Sequence, residues 1–175
     1  MTDIHSNITI PTTKVKESRL SQLDLANIRF GHAFTDHMFV VDYDNGKWIN
    51  PQIKPFGPIQ MHPATSSIHY GQSIFEGMKA HRSKEGEIVF FRMDDHATRF
   101  CYSAKRMAMP EIPKELFRKG IMELVKLDQA WVPNKEGYSL YIRPYMFATD
   151  EFIGIRRAGH YKFMVILSPV SGYYS

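Results

Sequence analysis

Tyr141-Ile142-Arg143-Pro144 is the first place in this chain where residue type and spacing could do chemistry. Alternate side chains of an extended segment share a face, so Tyr141 and Arg143 stand together, and the planar fork of Arg143 suits a small carboxylate. The same pattern also reads as a surface arginine packed over neighbouring tyrosines. Arg99 is a second candidate, lying off an apolar helical stripe near a helix start, where it could bind an anion or simply be an ordinary solvated helix arginine. A third is the run from Ser66 through Tyr70, Gly71 and Gln72 to Phe75-Glu76-Gly77, a loop dense in small, polar and aromatic residues that feeds a strand. Loops of that kind carry sites or merely connect elements.

Other constellations are missing from the sequence. There is no G-x-G-x-x-G or G-x-x-x-x-G-K-[ST] phosphate loop and no H-E-x-x-H motif. The eight histidines are scattered, and the pair His32 and His37 fits neither a helix face nor a strand face, so no metal site is expected. Cys101, the single cysteine, falls on the apolar face of a helix and reads as a buried structural thiol. It can form neither an internal disulfide nor a multi-cysteine metal site, in keeping with a reducing compartment. Asp94, Asp95 and His96 read as a helix start, with Asp94 as N-cap and carboxylates that complement the helix dipole.

The elements that must position these residues follow from periodicity. Residues 1–34 begin polar, with little period before Leu20, and are expected to form a loosely ordered N-terminal arm, leaving residues 35–175 as one small domain. His37 to Tyr43 is β-branched and aromatic, Asp44-Asn45-Gly46 supplies a turn, and Trp48-Ile49 resumes the strand, which predicts a hairpin. Pro51, Pro55, Gly57, Pro58 and Pro63 predict loops and short extended pieces up to Ser66-Ser67. Strands are expected from Phe75 to Arg82 and from Ile88 to Arg92. The period then changes, with Ala97, Phe100, Cys101, Ala104, Met107 and Ala108 on one helical face. Pro110 and Pro113 separate that helix from one striped by Phe117, Ile121, Leu124 and Val125. Strands over Tyr138–Ala148 and Tyr161–Leu167 complete the order. Strands, two helices, then strands predicts an α+β domain with a mostly antiparallel sheet and two helices on one face.

Composition narrows the function classes. The 175 residues carry 43% hydrophobic and 13% aromatic side chains, which excludes a disordered chain and suits one packed domain. The longest apolar run, Phe163 to Leu167, is far short of the ~18 residues that cross a bilayer, and the start lacks the pattern of a secretory or transit leader. A cytoplasmic protein is expected, with no membrane partner. Net charge is +4, but the 22 basic and 18 acidic residues are mixed rather than striped, so no nucleic-acid partner is expected.

Five segments carry a family resemblance: FGHAFTDHM from Phe30, HYGQSIFEGMKAHR from His69, FFRMDDHATRF from Phe90, SLYIRPYMFATDEFIGIR from Ser139, and SPVSGYYS at the end. Together they resemble the N-terminal domain of the branched-chain amino-acid aminotransferases, pyridoxal-phosphate enzymes of fold type IV, from about Phe30 to the last residue. F-E-G-M-K-A and Y-x-R-P are specific in combination, since more distant members of that class are not expected to carry both.

The resemblance implies roles residue by residue. Arg99 matches the arginine that holds the phosphate of pyridoxal 5'-phosphate, a dianion suited to a permanently charged partner. Tyr70, Tyr141 and Arg143 match positions around the substrate, Phe30, Phe75 and Tyr173 match aromatic walls of its side-chain pocket, and Ile155 matches a loop residue that reaches the partner subunit's site in a homodimer. An apolar box of that kind accepts leucine, isoleucine or valine and disfavours an unpaired charge. The implied activity moves their amino group to 2-oxoglutarate. In the family the Schiff-base lysine lies in a second domain, and none of the lysines here matches it; Lys79 reads as structural or solvated. The chain by itself is therefore expected to hold no catalytic residue and to be inactive. The alternatives are another fold type IV activity and a non-catalytic module that binds an anion or a protein.

Overall fold

Seven strands form one sheet in the computed structural model of this chain, which describes residues 8–171. Strand β1 (His37–Asp44) turns into β2 (Lys47–Pro55) through Asn45 and Gly46, both at positive φ, 40° and 106°. Asp-Asn-Gly is suited to such a turn because its residues tolerate the left-handed backbone that matches strand twist. Pro51 and Pro55, expected to hold their segment in loops and short extended pieces, instead lie within one nine-residue strand. β2 runs through Pro51 to Pro55, and it can because it is the edge of the sheet, where a missing N–H breaks no interior ladder. Residues of the arm cover part of that edge: the Ile53 N–H donates to Pro11 O and the Thr13 N–H to Ile53 O, both at 2.9 Å.

The stretch expected to be a loop at Ser66 contains a short helix, α1 (Ser66–Tyr70), closed by Gly71 in the left-handed region at φ 67°. There follow β3 (Ser73–Phe75), β4 (Met78–Arg82), β5 (Ile88–Phe90), α2 (Met93–Arg106), α3 (Lys114–Leu127), β6 (Ser139–Ala148) and β7 (His160–Val170). The strand order is β2-β1-β7-β6-β4-β5, with β3 also on β6, and every pair of named strands is antiparallel.

The strand expected over residues 75–82 is two strands. β3 pairs Phe75 with Tyr145 and β4 pairs Met78 with Ile142, so Pro144 of β6 faces the gap between them. Pro144 has no N–H to donate across that gap, and its carbonyl instead accepts from the Glu76 N–H at 2.8 Å. The chain kinks at Glu76-Gly77 where the ladder cannot run straight.

The helices cover one face of the sheet. α2 buries Ala97, Phe100, Cys101 and Ala104, but Met107 and Ala108, expected on the same face, are exposed beyond the helix end at Arg106, where Ala108 turns to φ 53°. α3 buries Leu116, Phe117, Gly120, Ile121, Leu124 and Val125, as its stripe requires. Phe100 and Phe117 meet Phe163 of β7 at ring separations of 5.4 and 5.8 Å. Met38, Val40, Phe147 and Met164 form a second apolar cluster, with Phe56 and Ile59 packed on it, so β1 is buried on both faces. The cap of α2 is Arg92, at φ 51°, rather than Asp94. Arg92 O accepts the first helical N–H groups, from Asp95 and His96, which leaves Asp94 and Asp95 inside the first turn. The class is thus α+β with an antiparallel sheet, and the short α1 is an addition to the two helices expected.

Candidate functional site

The kink between β3 and β4 organises the site. Phe75, Glu76 and Gly77 are consecutive, and each meets a different polar side chain. Phe75 lies under Arg143, whose guanidinium carbon is 4.4 Å from the ring centre. Gly77 leaves the space that the Tyr141 ring fills: a Cβ added there would strike the phenol, 3.1 Å from its Cζ. Glu76 turns inward to Arg99 on α2, accepting from Arg99 Nε at Oε2, 2.6 Å away, and from Nη2 at Oε1.

Tyr141 and Arg143 share a face of β6, as the alternation predicts. Arg143 donates from Nε and Nη2 to the Tyr141 hydroxyl, at 3.1 and 2.7 Å, and lies 5.2 Å from the centre of its ring. A guanidinium carries five N–H groups. Two are spent on Tyr141, and the outward edge keeps a parallel pair of the kind that meets a carboxylate in two hydrogen bonds. Phe30 adds a wall, its ring edge-on to Tyr141 at 5.1 Å. Phe30 and Phe75 are both exposed, Phe75 by 65%, so the cluster is an open face rather than a closed cavity.

Glu76 lies in the candidate stretch read from the sequence, which assigns it no role, yet it is the best-connected polar side chain here. It is only 4% exposed, while the Arg99 side chain is 66% exposed. Oε1 also accepts from the Gly77 N–H at 2.7 Å, and His96 Nδ1 lies 3.4 Å from the same oxygen. Burial would push the carboxyl up, but the donors on Arg99 and Gly77 and the charges of Arg99 and His96 outweigh it and hold the group below the usual carboxylate range. The same contact raises Arg99 further above its ordinary value. A charged residue at the end of an apolar strand pattern was the available signal, because a buried carboxylate must find cationic or N–H partners.

The structure brings Phe30, Phe75, Tyr141 and Arg143 together and joins Arg99 to them through Glu76. Lys79 lies in β4 opposite Tyr141. Tyr70 and Ile155 are not part of the cluster. Tyr70 ends α1, exposed, with its ring against His69 at 6.2 Å. Ile155 is 96% exposed on the segment between Asp150 and β7. Asp150 secures that segment by accepting from Arg156 Nη2 and from the Gly159 and His160 N–H groups at 2.8–3.1 Å, and its carbonyl accepts from the Ser66 N–H at the start of α1. Tyr70 and Ile155 therefore sit on two pieces tied to each other. Tyr173 lies outside the described residues. Among the described residues no group of His, Cys, Asp and Glu is arranged to hold a metal ion, and no helix is long and apolar enough to cross a membrane.

Arg99, half-clamped by a buried carboxylate, and Arg143, seated among aromatic rings, lie on either side of one kink in an α+β domain, and each keeps N–H groups that these contacts do not use. The fold is that of the small domain of fold type IV aminotransferases. A branched-chain amino acid aminotransferase of Escherichia coli matches 80% of this chain with 41% of its own, at TM-score 0.60 and 24% identity, a likeness of fold alone. The T.th. enzyme of the same name, complexed with N-(5'-phosphopyridoxyl)-L-glutamate, matches 73% of this chain with 39% of its own, at TM-score 0.53 and 25% identity. In sequence, branched-chain-amino-acid transaminase 1 of Bacillus subtilis (strain 168) is 43% identical over 152 residues, 86% of this chain and 43% of that protein. No family model matches the chain. The chain spans less than half the length of the curated relatives it matches. It is a homologue of the branched-chain aminotransferases and corresponds to their N-terminal domain.

Proposed function

We propose that this chain is the part of a branched-chain aminotransferase that seats the substrate carboxylate and the cofactor phosphate, in a protein that moves the amino group of leucine, isoleucine or valine to 2-oxoglutarate. The observation that carries the reading is the fixing of Arg143 by Tyr141 and of Arg99 by Glu76 on either side of one kink. Residues 1–34 would be an arm and residues 35–175 the domain proper. Pyridoxal 5'-phosphate would be held by Arg99, which fits a phosphate: three of its N–H groups are uncommitted and the side chain faces solvent. When bound, that group supplies an electron sink for bond changes at the substrate's α-carbon.

This chain's own residues bind and orient. Arg143 takes the carboxylate common to the amino acid and the oxo acid, and the Tyr141 hydroxyl fixes its outward edge. Phe30, Phe75 and Tyr173 would wall the aliphatic side chain, where an unpaired charge is costly, and Tyr70 would stand with Tyr141 and Arg143 around the substrate. Ile155, standing free on its loop, would reach a partner subunit in a homodimer. The lysine that bonds the cofactor would come from a second domain. A cytoplasmic setting agrees with the sequence reading. The test is amino transfer by the complete protein from leucine, isoleucine and valine to 2-oxoglutarate. Turnover of the three supports the reading, and turnover of D-amino acids instead would replace it with another fold type IV activity.

A further inference from the structure

We propose that Glu76 is the positioning residue for Arg99, turning the guanidinium so that its free edge meets a phosphate, and that Phe75-Glu76-Gly77 sets Arg99 in register with Arg143. The proposal rests on the reading of Arg99 as the phosphate arginine.

Arg99 projects from α2 and is two-thirds exposed, a setting in which a long side chain samples many rotamers. Two of its five N–H groups, on Nε and Nη2, are fixed on the two oxygens of Glu76, so the plane of the guanidinium and the direction of its remaining edge are set before any ligand arrives. Glu76 in turn cannot drift. Its N–H is bonded to Pro144 O at 2.8 Å, its Oε1 accepts from the Gly77 N–H, and the side chain is nearly sealed from water.

Pro144 follows Arg143 directly in β6, and the residues flanking Glu76 touch Arg143 and Tyr141. The position of one arginine is thereby tied to the other through one backbone hydrogen bond and three consecutive residues. An ion pair serving only to hold α2 against the sheet would not need to leave the outward edge of the arginine free. Removing the Glu76 charge would also strengthen the bare attraction between Arg99 and a phosphate, so positioning and field act in opposite directions and can be told apart.

The experiment compares affinity for pyridoxal phosphate with affinity for pyridoxal, which lacks the phosphate, in the complete protein stripped of cofactor. Glu76→Gln is expected to weaken pyridoxal phosphate about 10- to 100-fold, the loss of a hydrogen bond to a charged group, and to leave pyridoxal unchanged. Glu76→Asp, which withdraws the carboxylate by one methylene, falls in the same direction. Glu76→Gln added to Arg99→Ala costs nothing more. Equal weakening of both ligands makes Glu76 merely structural and overturns the proposal, as does an unchanged or tighter grip on pyridoxal phosphate. Should Glu76→Gln not fold, the ratio of the two affinities in Glu76→Asp decides, and a wild-type ratio overturns it. Arg99→Ala with undiminished preference for pyridoxal phosphate sinks the phosphate reading itself, a result distinct from the failure of Glu76 alone.

Discussion

Arg143 and Arg99 carry the same charge, but one is held by a neutral phenol and the other by a buried carboxylate, and that difference separates their expected effects. Arg143→Ala removes the outward pair of donors for a carboxylate. It should lower kcat/KM for leucine at least about 10-fold, the cost of hydrogen bonds to a charged group, while the cofactor is retained on gel filtration. Arg99→Ala should act chiefly on that retention. Equal loss of cofactor in both variants would end the division of roles. Glu76 adds a pH dependence with a definite sign. Its carboxyl is held lower in the folded chain than in the unfolded one, where it sits near the usual ~4.3, so its stabilising effect is complete above that value and lost as pH falls through the folded one. The denaturation midpoints of wild type and Glu76→Gln should therefore differ at pH 6 and converge toward pH 3. A constant gap would mean that the charge of Glu76 does not matter to folding.

At the scale of elements, glycine and proline explain both what was legible in the sequence and what was not. The stripes of α2 and α3 and the alternation of β6 could be read because each is set by burial on one face, a local pattern in the chain. The break between β3 and β4 could not, because its cause, Pro144, lies far downstream and acts only once β6 lies alongside. For the same reason Tyr141 and Arg143 were candidates from spacing alone, whereas the role of Glu76 needed the approach of α2. The prolines of β2 mislead because edge position is a property of the sheet and not of the segment. Two substitutions probe this level. Gly77→Ala should displace Tyr141 and with it Arg143, raising KM for the amino acid. Unchanged KM would mean that the ring has room to move. In α3 a Cβ on Gly120 would lie 2.5–2.8 Å from the fully buried Phe39 ring. The helix gain from alanine, about 1 kcal/mol, then opposes an overpacking cost of about 1–3 kcal/mol. Because Phe39 is enclosed by the core on all sides, Gly120→Ala should lower the melting temperature, and a rise would show that the ring can yield.

Across the whole molecule, the exposed aromatic rings at Phe30 and Phe75 and the pinned arm show opposite ends of the same accounting of surface. The two rings keep much of their surface exposed, whereas residues 8–23 are drawn down on the far edge and the core. Two adjacent side chains at the start of β1 do this. Asp36, buried, accepts from the Arg19 N–H at 2.9 Å, from Ser18 Oγ at 2.5 Å and from Trp131 Nε1 at 2.9 Å, joining the arm to the turn after α3. His37 accepts the Val15 N–H on Nε2 at 3.0 Å and faces Asp128 through Nδ1 at 2.6 Å. Accepting at Nε2 requires the neutral ring with its proton on Nδ1, toward Asp128. Burial would push the Asp36 carboxyl up, but the Arg19 N–H, Ser18, Trp131 and the Arg19 charge together hold it below the usual range. Its contribution is therefore complete above about pH 4, near the unfolded carboxyl value, and is lost as pH falls through the folded value. Asp36→Ala leaves the Trp131 N–H and the Arg19 N–H without their acceptor, which should cost about 1–3 kcal/mol and loosen the arm before the sheet. Amide exchange reads this directly. The Val15 and Arg19 amides should lose protection in the variant at neutral pH, and in the wild type on acidification, while amides of β6 and β7 keep theirs. Protection lost evenly across arm and sheet would instead make the arm an inseparable part of the core, with Asp36 a packing residue rather than the clasp that holds it.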